Sequence, residues 1–196
     1  MRKRSRTVAL AIMGSAAFGL AGCKDEQTDA RAFPDEASCL ASVEQGNLFY
    51  TAEDCRTAFA QAAQDHLETA PRYDSLQVCE EQHGAGNCGS DPAQQAQGGG
   101  AGSIFMPLMM GYILGSLMGG GRGVNSQPLM RTGDGRFATP GGTSLATNSG
   151  AGRMQTGAFS KAPTTLGQPP MTRAQVAQRG GFGQTATSRS GGRIGG

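Results

Sequence analysis

The sequence predicts a small all-α domain stapled by disulfides, then a short apolar helix and a long, largely disordered tail. Three observations lead there: four cysteines confined to one acidic stretch, apolar residues at helical spacing within it, and a glycine-rich remainder. Of 196 residues, 32 are glycine, none is tryptophan, and aromatics make up only 6%. The apolar fraction of 37% is too small to offset, along the whole length, an ordering entropy of roughly 1–2 kcal/mol per residue. Composition therefore speaks against a large single-core enzyme, and the protein reads as non-enzymatic, with no cofactor and no metal.

Residues 1–22 read as a targeting signal. Arg2, Lys3, Arg4 and Arg6 precede an apolar run from Val8 to Leu20. At about 1.5 Å per residue this run is too short to span a bilayer core of about 30 Å. It ends in Leu20-Ala21-Gly22-Cys23, which resembles the lipobox of bacterial lipoproteins and makes Cys23 the lipidated N-terminus. Several acyl chains anchor stably where one is marginal. Lys24 resembles an outer-membrane address, so the expected location is the cell envelope, lipid-anchored and facing the periplasm.

Residues 23–91 form the acidic domain. They hold 14 of the 15 acidic side chains against four basic ones, a formal charge of −10. Residues 92–196 hold nine basic residues and Asp134 alone, a formal charge of +8. The asymmetry says more about partners than the bulk charge does.

Three helices are expected in the acidic domain. One runs from Glu36 to Glu44, after Pro34-Asp35 and before Gly46. The second follows the capping box Thr51-Ala52-Glu53-Asp54, with Cys55, Phe59, Ala62, Ala63, His66, Leu67 and Ala70 as its apolar stripe. Pro71 ends it by disfavouring the α conformation of Ala70. The third runs from Leu76 to His83, capped by Asp74 or Ser75 and stopped by Gly84. Each is preceded by an aromatic (Phe33, Tyr50, Tyr73) and carries a cysteine (Cys39, Cys55, Cys79) within its first turn or so.

Those three cysteines and Cys88 are expected to form two disulfides in an oxidising compartment. Three connectivities are open; Cys39–Cys55 with Cys79–Cys88 closes the two shortest non-overlapping loops. Cys79, His83 and Cys88 invite a zinc reading, but their spacing matches no common zinc pattern. His66 lies on the apolar stripe and reads as a partly buried helix residue. The adjacent pairs Asp25-Glu26, Asp35-Glu36, Glu53-Asp54 and Glu80-Glu81 do not face each other on a helix, so they read as structural.

A linker is expected over 92–103 and an apolar helix over 104–119. Gly111, Gly115 and Gly119 would then form a groove on one face, and so apolar a helix must pack on the disulfide domain, lie in the membrane or pair with a second copy. Residues 120–196, basic and glycine-rich, are expected to be disordered. The glycine runs lack the ending of a phosphate loop. Arg179-Gly180-Gly181-Phe182-Gly183 resembles RNA-binding segments, yet an exported protein meets little RNA. Anionic lipopolysaccharide, wall polymer or the chain's own acidic half are the better-matched partners, and no nucleic acid is expected.

Several elements together resemble the YgiB family of uncharacterised bacterial lipoproteins. They are the lipobox at Cys23, Thr69-Ala70-Pro71-Arg72-Tyr73, Cys79 to Cys88 enclosing His83-Gly84-Ala85-Gly86, Phe105-Met106-Pro107-Leu108-Met109 with Gly111-Tyr112 and the glycines 119–121, and Arg179 to Gly183. The resemblance implies an exported, membrane-attached protein and brings no catalytic residues with it. It also implies a gene often placed beside one for a glutathionylspermidine-synthetase-like ligase. That context motivates a second reading, a binding module for a cationic small molecule such as a polyamine.

Overall fold

The computed structural model describes residues 27–92, 103–116 and 124–179. It overturns the all-α expectation. The protein is mixed α/β, built on a six-stranded antiparallel sheet to which both halves of the chain contribute.

The strands of that sheet are β1 (Gln27–Phe33), β4 (Met109–Ser116), β5 (Val124–Arg131), β6 (Phe137–Ala138), β7 (Ser144–Leu145) and β8 (Gly150–Gln155), in the spatial order β7-β6-β5-β4-β1-β8. β1, from the acidic half, lies between β4 and β8 of the basic half, with Arg31 opposite both Leu114 and Ala151. A two-stranded sheet pairs β2 (Cys88–Ser90) with β3 (Phe105–Pro107). A 3-10 turn covers Thr156–Phe159, and a short C-terminal helix, α4, covers Arg173–Arg179.

The three helices of the acidic half form where their caps place them. α1 spans Glu36–Glu44, and Asp35 caps it by accepting from the Ser38 amide. α2 spans Ala52–Thr69 and starts with a complete capping box between Thr51 and Asp54. α3 spans Leu76–His83, with Ser75 accepting from the Val78 amide. The aromatics before the caps, Phe33, Tyr50 and Tyr73, are all buried.

The segment expected as an apolar helix is β3 and β4 instead. β4 buries both faces, which is why its sequence is apolar without alternation. Tyr112 and Leu114 face α1 and α2, packing with Phe33, Tyr50, Ala58, Ala62 and the cysteines Cys39 and Cys55. Ile113 faces the other way, onto Ala30, Ala32, Leu129, Ala158 and Phe159. Two glycines make this packing possible. A Cβ on Gly111, which sits in the β4 irregularity at φ +143°, would lie 2.7 Å from the Phe33 carbonyl oxygen. One on Gly115 would meet the Phe159 ring at 2.5 Å. The glycines serve close approach inside the fold, and the helical groove read from their spacing falls with the helix.

The expected disordered tail is also corrected. Residues 124–179 supply four strands, the 3-10 turn and α4. Taken alone, β6 and β7 are two residues each, β5 contains a proline and β8 carries two glycines. They are ordered by pairing with β4 and β1, which no local pattern records. The signal segment 1–22, the lipid cysteine Cys23, nearly all of the 92–103 linker, Gly119 and residues 180–196 lie outside the described residues.

Candidate functional site

The structure joins Cys39 to Cys55 and Cys79 to Cys88. The first bond ties α1 to α2 within the aromatic core; the second ties α3 to β2. With Cys79 and Cys88 oxidised into one bond, the Cys79–His83–Cys88 triplet is no ligand set. Among the described residues no group of three or more His, Cys, Asp or Glu side chains is placed to hold a metal ion.

Both histidines are buried in structural settings. His83 Nδ1 lies 2.7 Å from the Arg131 carbonyl oxygen, an acceptor only, so this nitrogen carries the proton. Nε2 then accepts from the Tyr73 hydroxyl at 2.9 Å. Burial pulls His83 down to about 4 and raises Tyr73 above the usual phenol range, which keeps both neutral at physiological pH. His66 is likewise lowered to about 4 by burial, against a hydrogen bond to the Pro107 backbone. Its Nδ1 and the Tyr112 hydroxyl are buried without a hydrogen-bond partner among the described residues.

The acidic pairs are divided among structural tasks. Asp35 and Asp54 cap helices, Glu53 ion-pairs with Arg56, Glu80 accepts from the Gly86 amide, and Glu81 pairs with Arg173. Among the described residues no such pair forms an acid/base dyad.

The most developed polar construction lies where the segment 160–171 crosses the C-terminal end of α2. Lys161 Nζ reaches Asp65 and Glu68, each at 2.7 Å. The Thr165 amide donates to the Glu68 carbonyl at 2.8 Å, and its hydroxyl donates to the Ala70 carbonyl at 2.7 Å. At the centre is Arg72, almost fully buried. Its Nε donates to Asp91 at 2.7 Å, its Nη2 to the Leu67 carbonyl at 2.7 Å, and its Nη1 to the Thr165 hydroxyl. Pro71 breaks α2 and frees the carbonyls of its last turn, which Arg72 and the threonines then satisfy.

This strap encloses a cleft of about 500 Å³, walled by Pro71, Pro140, Pro163 and Pro169 and edged by Gln175 and Arg179. Its chemistry is recognition by hydroxyls, amides and one exposed guanidinium; it presents no nucleophile paired with a base. The sequence marks Thr69 to Tyr73 and Arg179 as parts of a resemblance, but not Arg72 as a hub. Its partner Asp91 is 19 residues away and Thr165 is 93 away, so no local spacing announces them.

The sequence matches the family described as "Protein of unknown function (DUF1190)" over residues 27–192. It is similar to a UPF0441 protein of Klebsiella pneumoniae subsp. pneumoniae, 33% identical over 190 residues that cover 93% of this chain and 82% of the relative. A UPF0441 protein of Klebsiella pneumoniae strain 342 matches to the same extent. No solved structure matches. The stretch matched by the family takes in the sheet, the helices, both disulfides and the strap; the chain belongs to the DUF1190 family.

Proposed function

We propose that this protein is a non-enzymatic lipoprotein of the bacterial cell envelope, anchored through Cys23 at the outer membrane and facing the periplasm. The YgiB resemblance and the lipobox support the anchor. The observation that carries the reading is the state of the remaining cysteines: all four are paired in two disulfides, as suits an oxidising compartment. No helix among the described residues is long and apolar enough to cross a membrane; the anchor we assign is the acyl chains at Cys23.

The charge asymmetry is used partly within the fold. Lys161, Arg173 and Arg153 of the basic half pair with Asp65, Glu68, Glu81 and Asp29 of the acidic half. Arg131 and Arg179 make no ion pair among the described residues and, with Arg189 and Arg193 beyond them, are the cations we assign to anionic lipopolysaccharide or wall polymer. The same internal pairing reduces the negative charge available to a polyamine.

Cys23→Ser tests the anchor directly. The wild type is expected to incorporate labelled palmitate and to sediment with envelope membranes, and the variant to do neither. Palmitate entering the Cys23→Ser protein overturns the reading.

A further inference from the structure

The most exposed large apolar side chains in the described structure are neighbours, Leu48 at 95% and Phe49 at 78%. They form the tip of the loop between α1 and α2, and the loop is not slack. Asn47 Oδ1 accepts from the Phe49 amide at 2.9 Å, while its Nδ2 donates to Ser42 at 3.0 Å. On the other side Tyr50 is buried, and its hydroxyl donates to the Leu114 carbonyl at 3.1 Å. The chain is thus fixed immediately before and after the tip, holding two apolar side chains in solvent where a hydrophobic pair gains nothing.

The tip lies beside the start of the described chain. Phe49 and Tyr50 share a shallow cavity of about 400 Å³ with Asp29 and Arg31 of β1 and Arg153 of β8. Gln27, the first residue of β1, is two positions before Asp29, and Cys23 is four positions before Gln27. Four residues reach at most about 14 Å even when fully extended. Covalent length thus keeps Cys23 within that reach of the start of β1, the strand whose Asp29 and Arg31 line the cavity shared with Phe49. Arg31 and Arg153 are the basic residues lining this cavity and Asp29 is its acidic one; Arg153, largely exposed, lies 4.0 Å from Asp29.

We propose that the Leu48–Phe49 loop is a membrane-seating element, inserting its two side chains into the leaflet that holds the Cys23 acyl chains, with Arg31 and Arg153 facing anionic headgroups. The inference rests on lipidation at Cys23. A second, protein-borne contact beside the lipid fixes the orientation of the domain on the surface, which a flexible tether alone leaves free. It also turns the strap and its cleft into features at a defined height above the bilayer.

Absence of tryptophan gives a clean probe, because Phe49→Trp introduces a single reporter. The lipidated full-length variant is reconstituted into phosphatidylethanolamine–phosphatidylglycerol vesicles carrying brominated acyl chains. Leu76→Trp, at a 40% exposed position at the start of α3, serves as the control. Quenching at position 49 is expected to exceed that at position 76 by about threefold or more, with a blue-shifted emission. In parallel, Leu48→Ser with Phe49→Ser is expected to leave helical circular dichroism unchanged and to speed transfer of lipidated protein between vesicles by about tenfold. The mass of the N-terminal peptide reports the lipid independently. If the lipidated Phe49→Trp protein is quenched no more than the Leu76→Trp control, the inference is overturned and the lipoprotein reading stands; an unmodified Cys23 overturns both. Emission from the Phe49→Trp reporter that shifts with protein concentration and ignores the brominated lipid identifies a second copy as the occupant, and also overturns it.

Discussion

The two ends of α2 are held by opposite kinds of force. At its N-terminal end Cys55, Ala58 and Ala62 press onto Tyr112 and Leu114, sealed by the disulfide to Cys39, in an apolar layer. At its C-terminal end Asp65, Glu68, Ala70 and Arg72 meet the strap through ion pairs and hydrogen bonds. The first contact is stapled across 16 residues; the second joins residues 95 apart. One helix thus links a locally closed core to a long-range polar seam. An apolar layer tolerates changes of charge state, whereas the seam depends on each buried charge keeping its partner.

The largest effect is expected at the centre of the seam. Arg72→Leu leaves the Asp91 carboxylate buried without its cation, and removing one member of a buried pair costs about 3–5 kcal/mol. The urea midpoint should fall accordingly, and Arg72→Leu combined with Asp91→Leu should recover much of the loss. A double variant as unstable as the single one would show that packing, rather than the pair, holds this end.

The apolar end comes next. Replacing Cys39 and Cys55 together by serine opens a loop spanning 16 residues, worth about 3 kcal/mol by chain entropy. Hydrogen exchange should then rise across α1 and the first half of α2 while the Thr165 amide, bonded to the Glu68 carbonyl, stays protected. Equal loss of protection at both ends would mean that the two contacts form one cooperative unit.

The same contrast explains what the sequence makes legible. α1, α2 and α3 announce themselves because Asp35, Thr51 and Ser75 act within three residues of the amides they cap. The aromatic before each cap is visible too, and each is core. β4 misleads because Gly111 to Gly115 is buried on both faces, and a continuous apolar run carries no period that separates a strand from a buried helix. β8, Gly-Ala-Gly-Arg-Met-Gln, is mostly exposed and looks like tail; only the pairing of Gln27 to Ala32 across it makes it a strand. Arg72 is legible as a residue but not as a hub, since its partners come from Leu67, Asp91 and Thr165.

A smaller effect per residue comes from the two buried histidines as pH falls. His66 and His83 are held neutral, with folded values near 4 against an ordinary 6.5. Well above pH 6.5 neither state binds the proton and stability is full. As pH falls below 6.5 the unfolded chain takes up protons that the folded chain refuses until about pH 4. Each histidine should therefore cost about 1.5 kcal/mol between roughly pH 6.5 and pH 5. Urea melts at the two values should show the combined loss, and His66→Gln should roughly halve its pH slope. A stability flat across that range would mean the histidines are not sealed.

The smallest effect is expected from Lys161, and it is the most specific. Its ammonium is half exposed, but one of its two partners, Asp65, is nearly buried. Hydrogen bonds from Lys161 and Gln64 hold the Glu68 carboxyl below its usual range, so the seam favours ionised Glu68 and weakens as pH falls through its folded value. Lys161→Gln keeps a long polar side chain and removes the charge. Global stability should fall by less than in Arg72→Leu: Asp65 loses its cation, but the replaced ammonium is half exposed and Arg72 and the Thr165 hydrogen bonds still hold the strap. Exchange at Thr165 and Met171, whose amides donate to Glu68 and Arg72, should nevertheless quicken severalfold. Raised salt should reproduce this opening in the wild type, with a screening length of about 10 Å at 0.1 M falling to about 3 Å at 1 M. If salt opens the strap in Lys161→Gln as much as in the wild type, the charge at position 161 is not what closes the seam, and the burden passes to Arg72 alone.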